Sequence, residues 1–156
     1  MRGRVIVGIV AAVAGLVAIQ LVPCDGSNPP VEGDVGAPGP VAEILRRSCY
    51  DCHSNETKWP WYSRVAPVSW LVARDVRVGR EALNFSQWSR LGASERAEAL
   101  EESWETVAEG EMPPWIYLVA HPEARIDDLE RAFLREWLGQ GPAMRHSAES
   151  DEGDND

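Results

Sequence analysis

Cys49-Tyr50-Asp51-Cys52-His53 sets two thiols three positions apart, the second directly followed by an imidazole. Thiols at that spacing suit the two vinyl groups of haem, and the adjacent histidine then reaches the iron. The pentapeptide therefore points to one haem c, covalently attached through Cys49 and Cys52, with His53 as proximal ligand. Two other chemistries use the same residue types. A structural zinc site needs four ligands, usually Cys and His, and the only other thiol, Cys24, lies far upstream beside an apolar run. A redox-active CxxC disulfide outside the cytosol would leave His53 to tune a thiol pKa.

A second axial ligand is sought in Glu111-Met112-Pro113-Pro114-Trp115. The residue before a proline is pushed out of the helical region, so Met112 is presented on a stiff, extended segment where its thioether can face a metal. Met1 begins the chain and Met144 precedes the acidic tail, which leaves Met112 as the internal thioether. Its ordinary alternative is gap-filling in a core, and His121 is the competing sixth ligand. Trp59 and Trp61, stiffened by Pro60 between them, are candidate walls of the haem pocket. Their alternative is a loop folded onto the core. The chain carries seven Trp, and large aromatic rings serve either purpose.

The elements that must position these groups read as helices. Val41, Ile44 and Leu45 fall on one face of a helix that runs into Cys49, with Pro40 near a first-turn position that tolerates its missing N–H. After the aromatic loop, Pro67 opens a second helix whose apolar face is Val68, Leu71, Val72, Val76, Gly79 and Leu83. Arg74, Arg77 and Arg80 fall off that face and read as solvated rather than bound to haem propionates. Ser86 is placed to cap a short helix carrying Trp88 and Leu91, and Ser94 a longer one from Glu95 to about Ala108 that Gly110 stops. Asp127 and Glu130 form a capping-box pair ahead of a final helix with Leu129, Phe133, Leu134, Trp137 and Leu138 as its buried stripe.

Upstream, Arg2 and Arg4 precede an apolar run from Val5 to Val22, broken only by Gln20. Eighteen residues at helical rise span about 27 Å, near the thickness of a bilayer core, and the two arginines orient the rest of the chain to the outer face. No A-x-A-like cleavage site precedes Pro23 or Cys24. Leu21-Val22-Pro23-Cys24 has Leu and Cys placed as in a lipoprotein box, but with Pro where a small residue is wanted. The division expected is an uncleaved membrane anchor at 1–22, a linker at 23–40, a helical domain at 41–139 and an acidic disordered tail at 140–156. The linker reading rests on four Gly, four Pro and three acidic residues between Asp25 and Pro40. With 15 Lys+Arg against 25 Asp+Glu the net charge is -10, which argues against nucleic acid as a partner.

A helix running into CxxCH, Gly110-x-Met112-Pro113 some sixty residues later and a closing amphipathic helix resemble the class I cytochrome c fold. That fold is a small all-α domain whose first and last helices cross. More narrowly, Ser48 to Thr57, Trp59-Pro60-Trp61-Tyr62-Ser63, Gly79-Arg80, Leu83-Asn84-Phe85-Ser86 with Trp88, and Gly110-Glu111-Met112-Pro113 look like a bacterial haem-binding domain family. This resemblance, spanning about Val41 to Leu138, implies a covalently held haem outside the cytoplasmic membrane. With His53 and Met112 filling both axial positions, the expectation is an electron carrier tethered by one N-terminal transmembrane helix, with redox partner proteins at the membrane surface. A peroxidase-type haem enzyme or a gas or redox sensor would instead need an open sixth position, and a haem-free thiol redox protein would need none.

Overall fold

The computed structural model describes residues 2–139, and the acidic tail expected at 140–156 lies outside them. Among the described residues the fold is all-α: seven α-helices joined by 3-10 turns and irregular segments, with no strand. Helix α1 (Arg2–Ile19) is 18 residues long with a mean hydropathy of 2.0 and no buried residue. By length and composition it is able to cross a membrane, and a signal sequence meets the same description.

The Gly/Pro-rich segment after α1 is not the free linker its composition predicts. Asn28 donates to the Thr57 carbonyl, Asn55 donates to the Pro30 carbonyl, and the Glu32 N–H donates to the Ser86 carbonyl. Asp34 accepts from the Tyr50 hydroxyl at 2.6 Å and pairs with Arg46 at 2.7 Å. Gly33, Val35 and Ala37 alternate with exposed neighbours, with Gly36 turning the chain at a φ of 69°, and Val35 and Ala37 pack against the core. The segment is a strap fastened by the domain's side chains, which supply the contacts its own sequence lacks.

Arg80 is the main fastener. Its guanidinium donates to the Ser54 and Ser27 carbonyls, Asn28 Oδ1 and Thr57 Oγ1, so it joins the strap to the turn after His53 instead of facing solvent as its helical position suggested. Arg80→Ala should lower the unfolding free energy by at least about 2 kcal/mol, since hydrogen bonds to a charged group contribute roughly 1.5–3 kcal/mol each. It should also open the strap to protease cleavage near Ser27, as read by mass spectrometry of the fragments.

The core is built where α2 (Gly39–Ser48) meets α7 (Asp128–Leu138). Pro40 sits in the first turn of α2, and Val41, Ile44, Leu45 and Ser48 are buried at helical spacing. Asp127 caps α7 through the Glu130 N–H, and Glu130 returns the bond to the Asp127 N–H. Leu134 and Leu138 are buried, but Leu129 is 66% and Phe133 40% exposed. Helix α7 touches α2 and α5 along a narrow seam, so the stripe is thinner than the hydrophobic spacing predicts.

Helix α3 (Tyr50–His53) follows α2 after a change of direction at Cys49, where φ is -126° and ψ -37°. Helix α4 (Val68–Ala82) lies against α3, and its buried residues are Ser69, Val76 and Gly79, while Val68 and Leu71 stay exposed. Close approach of two backbones selects small side chains over the larger apolar ones that periodicity favoured. A Cβ at Gly79 would stand 2.7 Å from the Cys52 carbonyl oxygen and 3.1 Å from Cys52 Cβ. Gly79→Ala should therefore push α4 off α3 and destabilise the domain by about 1–3 kcal/mol in spite of alanine's better helix propensity, measured by denaturant unfolding.

Two caps differ from expectation. Asn84, not Ser86, caps the 3-10 turn Phe85–Arg90 by accepting from the Ser86 N–H, which frees the Ser86 hydroxyl to accept from the Asn55 N–H. Helix α5 (Ala93–Ala108) starts after Gly92, whose N–H donates to Glu95 at 2.7 Å, so Ser94 lies inside the first turn. Gly110 then takes a φ of 78°, a left-handed turn that glycine adopts without a Cβ clash. Helix α6 (Trp115–Ala120), not anticipated from the sequence, follows Met112-Pro113-Pro114.

Candidate functional site

A cavity of about 340 Å³ opens between α2, α3, α4, α5 and α7, within the roughly 300–1,000 Å³ range of small-molecule and cofactor pockets. Cys49, Cys52 and His53 border it, and so do Met112, Pro113 and Pro114. Leu45, Phe85, Val107, Leu134 and Leu138 make its apolar floor, and Asp51, Arg74, Asp75 and Glu102 its polar margin. Residues 59 positions apart in sequence, His53 and Met112, thus share one chamber.

Each side chain is held by local structure. The Cys52 and His53 N–H groups both donate to the Cys49 carbonyl, which closes the turn and fixes the two thiols relative to the imidazole. His53 Nδ1 lies 3.2 Å from the Leu83 carbonyl oxygen. A carbonyl only accepts, so Nδ1 carries the proton and Nε2 is left with its lone pair, the tautomer a metal needs. Burial pushes the His53 pKa down, which keeps the ring neutral. Phe85 stacks on Tyr50 at 5.2 Å and approaches the His53 ring at 6.5 Å, bracing the imidazole. Met112 is half-buried against the core, and the Glu111 and Met112 N–H groups both donate to the Thr106 carbonyl. That anchors the segment leading to the thioether on the last turn of α5.

Burial raises both thiols: Cys49 to about 12, with Cys52 nearby adding to the rise, and Cys52 to about 11, with Asp51 and Asp75 adding to it. All three cysteines are free, and Cys24 is exposed.

Trp59, Trp61 and His121 lie outside the cavity lining. The Trp59 indole N–H donates to Asn28 on the strap, and Trp61 is 78% exposed. His121 has both ring nitrogens engaged, Nε2 with the Tyr62 hydroxyl at 2.6 Å and Nδ1 with Glu123 at 3.1 Å, and its ring stacks on Tyr117 at 4.4 Å. Of the three arginines of α4, Arg74 borders the cavity, Arg77 pairs with Glu81 on the outside and Arg80 holds the strap.

Sequence reasoning missed Phe85 and Tyr117 as lining residues. Tyr117 donates to Asp51 at 2.8 Å, tying α6 to the CxxCH turn, and burial followed by this bond raises its pKa. Its only signal was an aromatic within a short apolar run after Pro113-Pro114.

The donor set matches a haem in kind: two thiols, a neutral imidazole with its Nε2 available and a thioether, around an apolar chamber. The buried Ser48 hydroxyl oxygen has no partner and also borders the chamber, a polar atom left for its occupant. Comparison with curated proteins and with solved structures finds no match. The sequence profile of the haem-binding domain family, however, matches residues 14–140. That span takes in the strap, the cavity and all four donor side chains, and the chain belongs to the haem-binding domain family.

Proposed function

We propose that this chain is a membrane-tethered electron-transfer protein carrying one haem c, attached through Cys49 and Cys52, with His53 and Met112 as axial ligands. The observation that carries the proposal is that all four side chains border one apolar cavity. A bound haem supplies a one-electron Fe(III)/Fe(II) couple. The Leu83 carbonyl orients His53, the Thr106 carbonyl positions the Met112 backbone, and Leu45, Phe85, Leu134 and Leu138 exclude water. A haem held by both the His53 imidazole and the Met112 thioether would have a raised potential and no position for substrate, so the reading is a carrier that passes electrons to or from a redox partner protein.

The raised thiol pKa values weigh against a haem-free thiol redox protein, because the thiolate is the reactive species. The tether is α1 retained as an anchor, with the domain on the outer side of the cytoplasmic membrane, where Arg2 and Arg4 orient it. The test is a spectroscopic redox titration of the full chain made with a cytochrome c maturation system, together with exposure of the reduced protein to carbon monoxide. A reversible one-electron transition with no carbon monoxide complex is expected. Ready binding of carbon monoxide would transfer the assignment to a haem enzyme or sensor with an open sixth position.

A further inference from the structure

The end of the N-terminal helix is clipped to the domain at Ala66. Gln20, one residue past α1, donates from its side-chain amide to the Ala66 carbonyl at 3.1 Å and accepts from the Ala66 N–H at 3.0 Å. This reciprocal pair uses both halves of the amide on one backbone unit, so it fixes where the helix emerges. Around that unit the surface is apolar and open. Val65 is 44% and Val68 41% exposed, and Trp61, at the start of the 3-10 turn Trp61–Arg64, is 78% exposed with its ring edge against Tyr62. Arg64 is exposed beside them.

Consecutive residues span at most about 3.8 Å, so Arg64, Val65 and Val68 lie within about 8 Å of Ala66. The headgroup layer on each side of a bilayer is about 5–8 Å deep. Residues this near the end of a spanning helix lie within reach of the headgroup layer. The strap removes the alternative of a domain swinging on a leash, because Asn28 is already bonded to the Thr57 carbonyl eight residues after Gln20. Charge favours the same face: the chain is acidic overall and repelled from anionic lipid, whereas Arg64 and the neighbouring Trp61 are of the types that anchor at membrane interfaces.

We infer that Trp61, Arg64, Val65 and Val68 form a membrane-docking face that rests in the headgroup layer and holds the domain in one orientation on the bilayer. The inference rests on the reading of α1 as a retained anchor. Its occupant is the lipid interface, not a partner protein or a second copy.

The test uses the full haem-loaded chain with Cys24→Ser and Val65→Cys, a nitroxide spin label on the new thiol, and reconstitution into vesicles of phosphatidylcholine and phosphatidylglycerol with the iron kept reduced. Val68→Cys is the second variant should Val65→Cys fold poorly, and Glu98→Cys on the exposed side of α5 is the reference. Collisions with dissolved oxygen, which concentrates in lipid, are compared with collisions with a water-soluble nickel chelate. At position 65 or 68, nickel collisions should fall severalfold relative to position 98 while oxygen collisions rise. A label as open to nickel as the reference overturns the docking face while leaving the anchor intact. A label shielded from both relaxers, with mobility that falls as protein concentration rises, assigns the face to a second copy and also overturns it. Release of the chain from vesicles by alkaline carbonate removes the anchor reading, and the docking face with it.

Discussion

Met112→Ala should abolish the weak sulfur-to-iron charge-transfer band of the oxidised protein, open the iron to carbon monoxide and lower the midpoint potential. The drop should be on the order of 100 mV or more, within the roughly 0.8 V over which axial ligands set haem potentials. The physical cause is softness: a thioether stabilises Fe(II) relative to water or imidazole. Met112→His separates the two roles of the side chain, keeping the site closed while still lowering the potential. His121→Ala is the matched control. Its ring is bonded to Tyr62 and Glu123 and stacked on Tyr117 outside the cavity, so the band and the carbon monoxide resistance should survive. Loss of the band in His121→Ala and its retention in Met112→Ala would reverse the ligand assignment.

Cys49→Ala combined with Cys52→Ala should leave no haem on the polypeptide after denaturing electrophoresis and haem staining, and should leave the domain close to unfolded. The second expectation follows from the cavity. At about 24 cal/mol per Å³ of unfilled volume, 340 Å³ corresponds to about 8 kcal/mol. That is an upper bound, since the cavity opens to solvent and partial collapse recovers contacts. It is still comparable with the roughly 5–15 kcal/mol that stabilises a whole domain. Near-ultraviolet circular dichroism and denaturant titration read the loss of packing directly. A stained band in the double variant would show that attachment does not use these thiols. A cooperative unfolding transition unchanged from the haem-loaded protein would show that the chamber is not built around the cofactor.

Local rules carried well wherever the determinant is close in sequence. The CxxCH turn, Pro40 in the first turn of α2, the Asp127–Glu130 capping box and the apolar run of α1 each depend on groups within a few residues of one another. They were legible because backbone geometry over four or five residues decides them. The cap at Asn84 lies two residues before the position the sequence favours, for the opposite reason. Ser86 is as good a capping residue as Asn84, and only a distant partner, the Asn55 N–H, claims the Ser86 hydroxyl.

Burial is less legible in a local stretch of sequence. Hydrophobic spacing names the residues able to face a core but not how wide the contact is. Leu129 and Phe133 stay outside a narrow seam, and on α4 it is Gly79, not Leu71, that meets the neighbouring helix at a close backbone approach. The strap was illegible because its stability is borrowed: Arg80, Asn55, Tyr50 and Arg46 come from elements up to 53 residues away, and composition records only that the segment cannot bury apolar area by itself.

By itself, then, the sequence determined the reactive groups: two thiols and an imidazole at fixed local spacing, and one internal thioether on a segment that cannot be helical. Only the tertiary structure decided which of the candidates share a chamber. It brought Met112 to the cavity that His53 borders, kept His121 and both tryptophans of the aromatic loop away from it, and supplied the Leu83 carbonyl that selects the tautomer of His53. Covalent geometry fixes what a side chain can do over a few bonds. Whether it meets its counterpart depends on how α2, α4, α5 and α7 pack, a sum of many weak contacts that no local stretch of the chain contains.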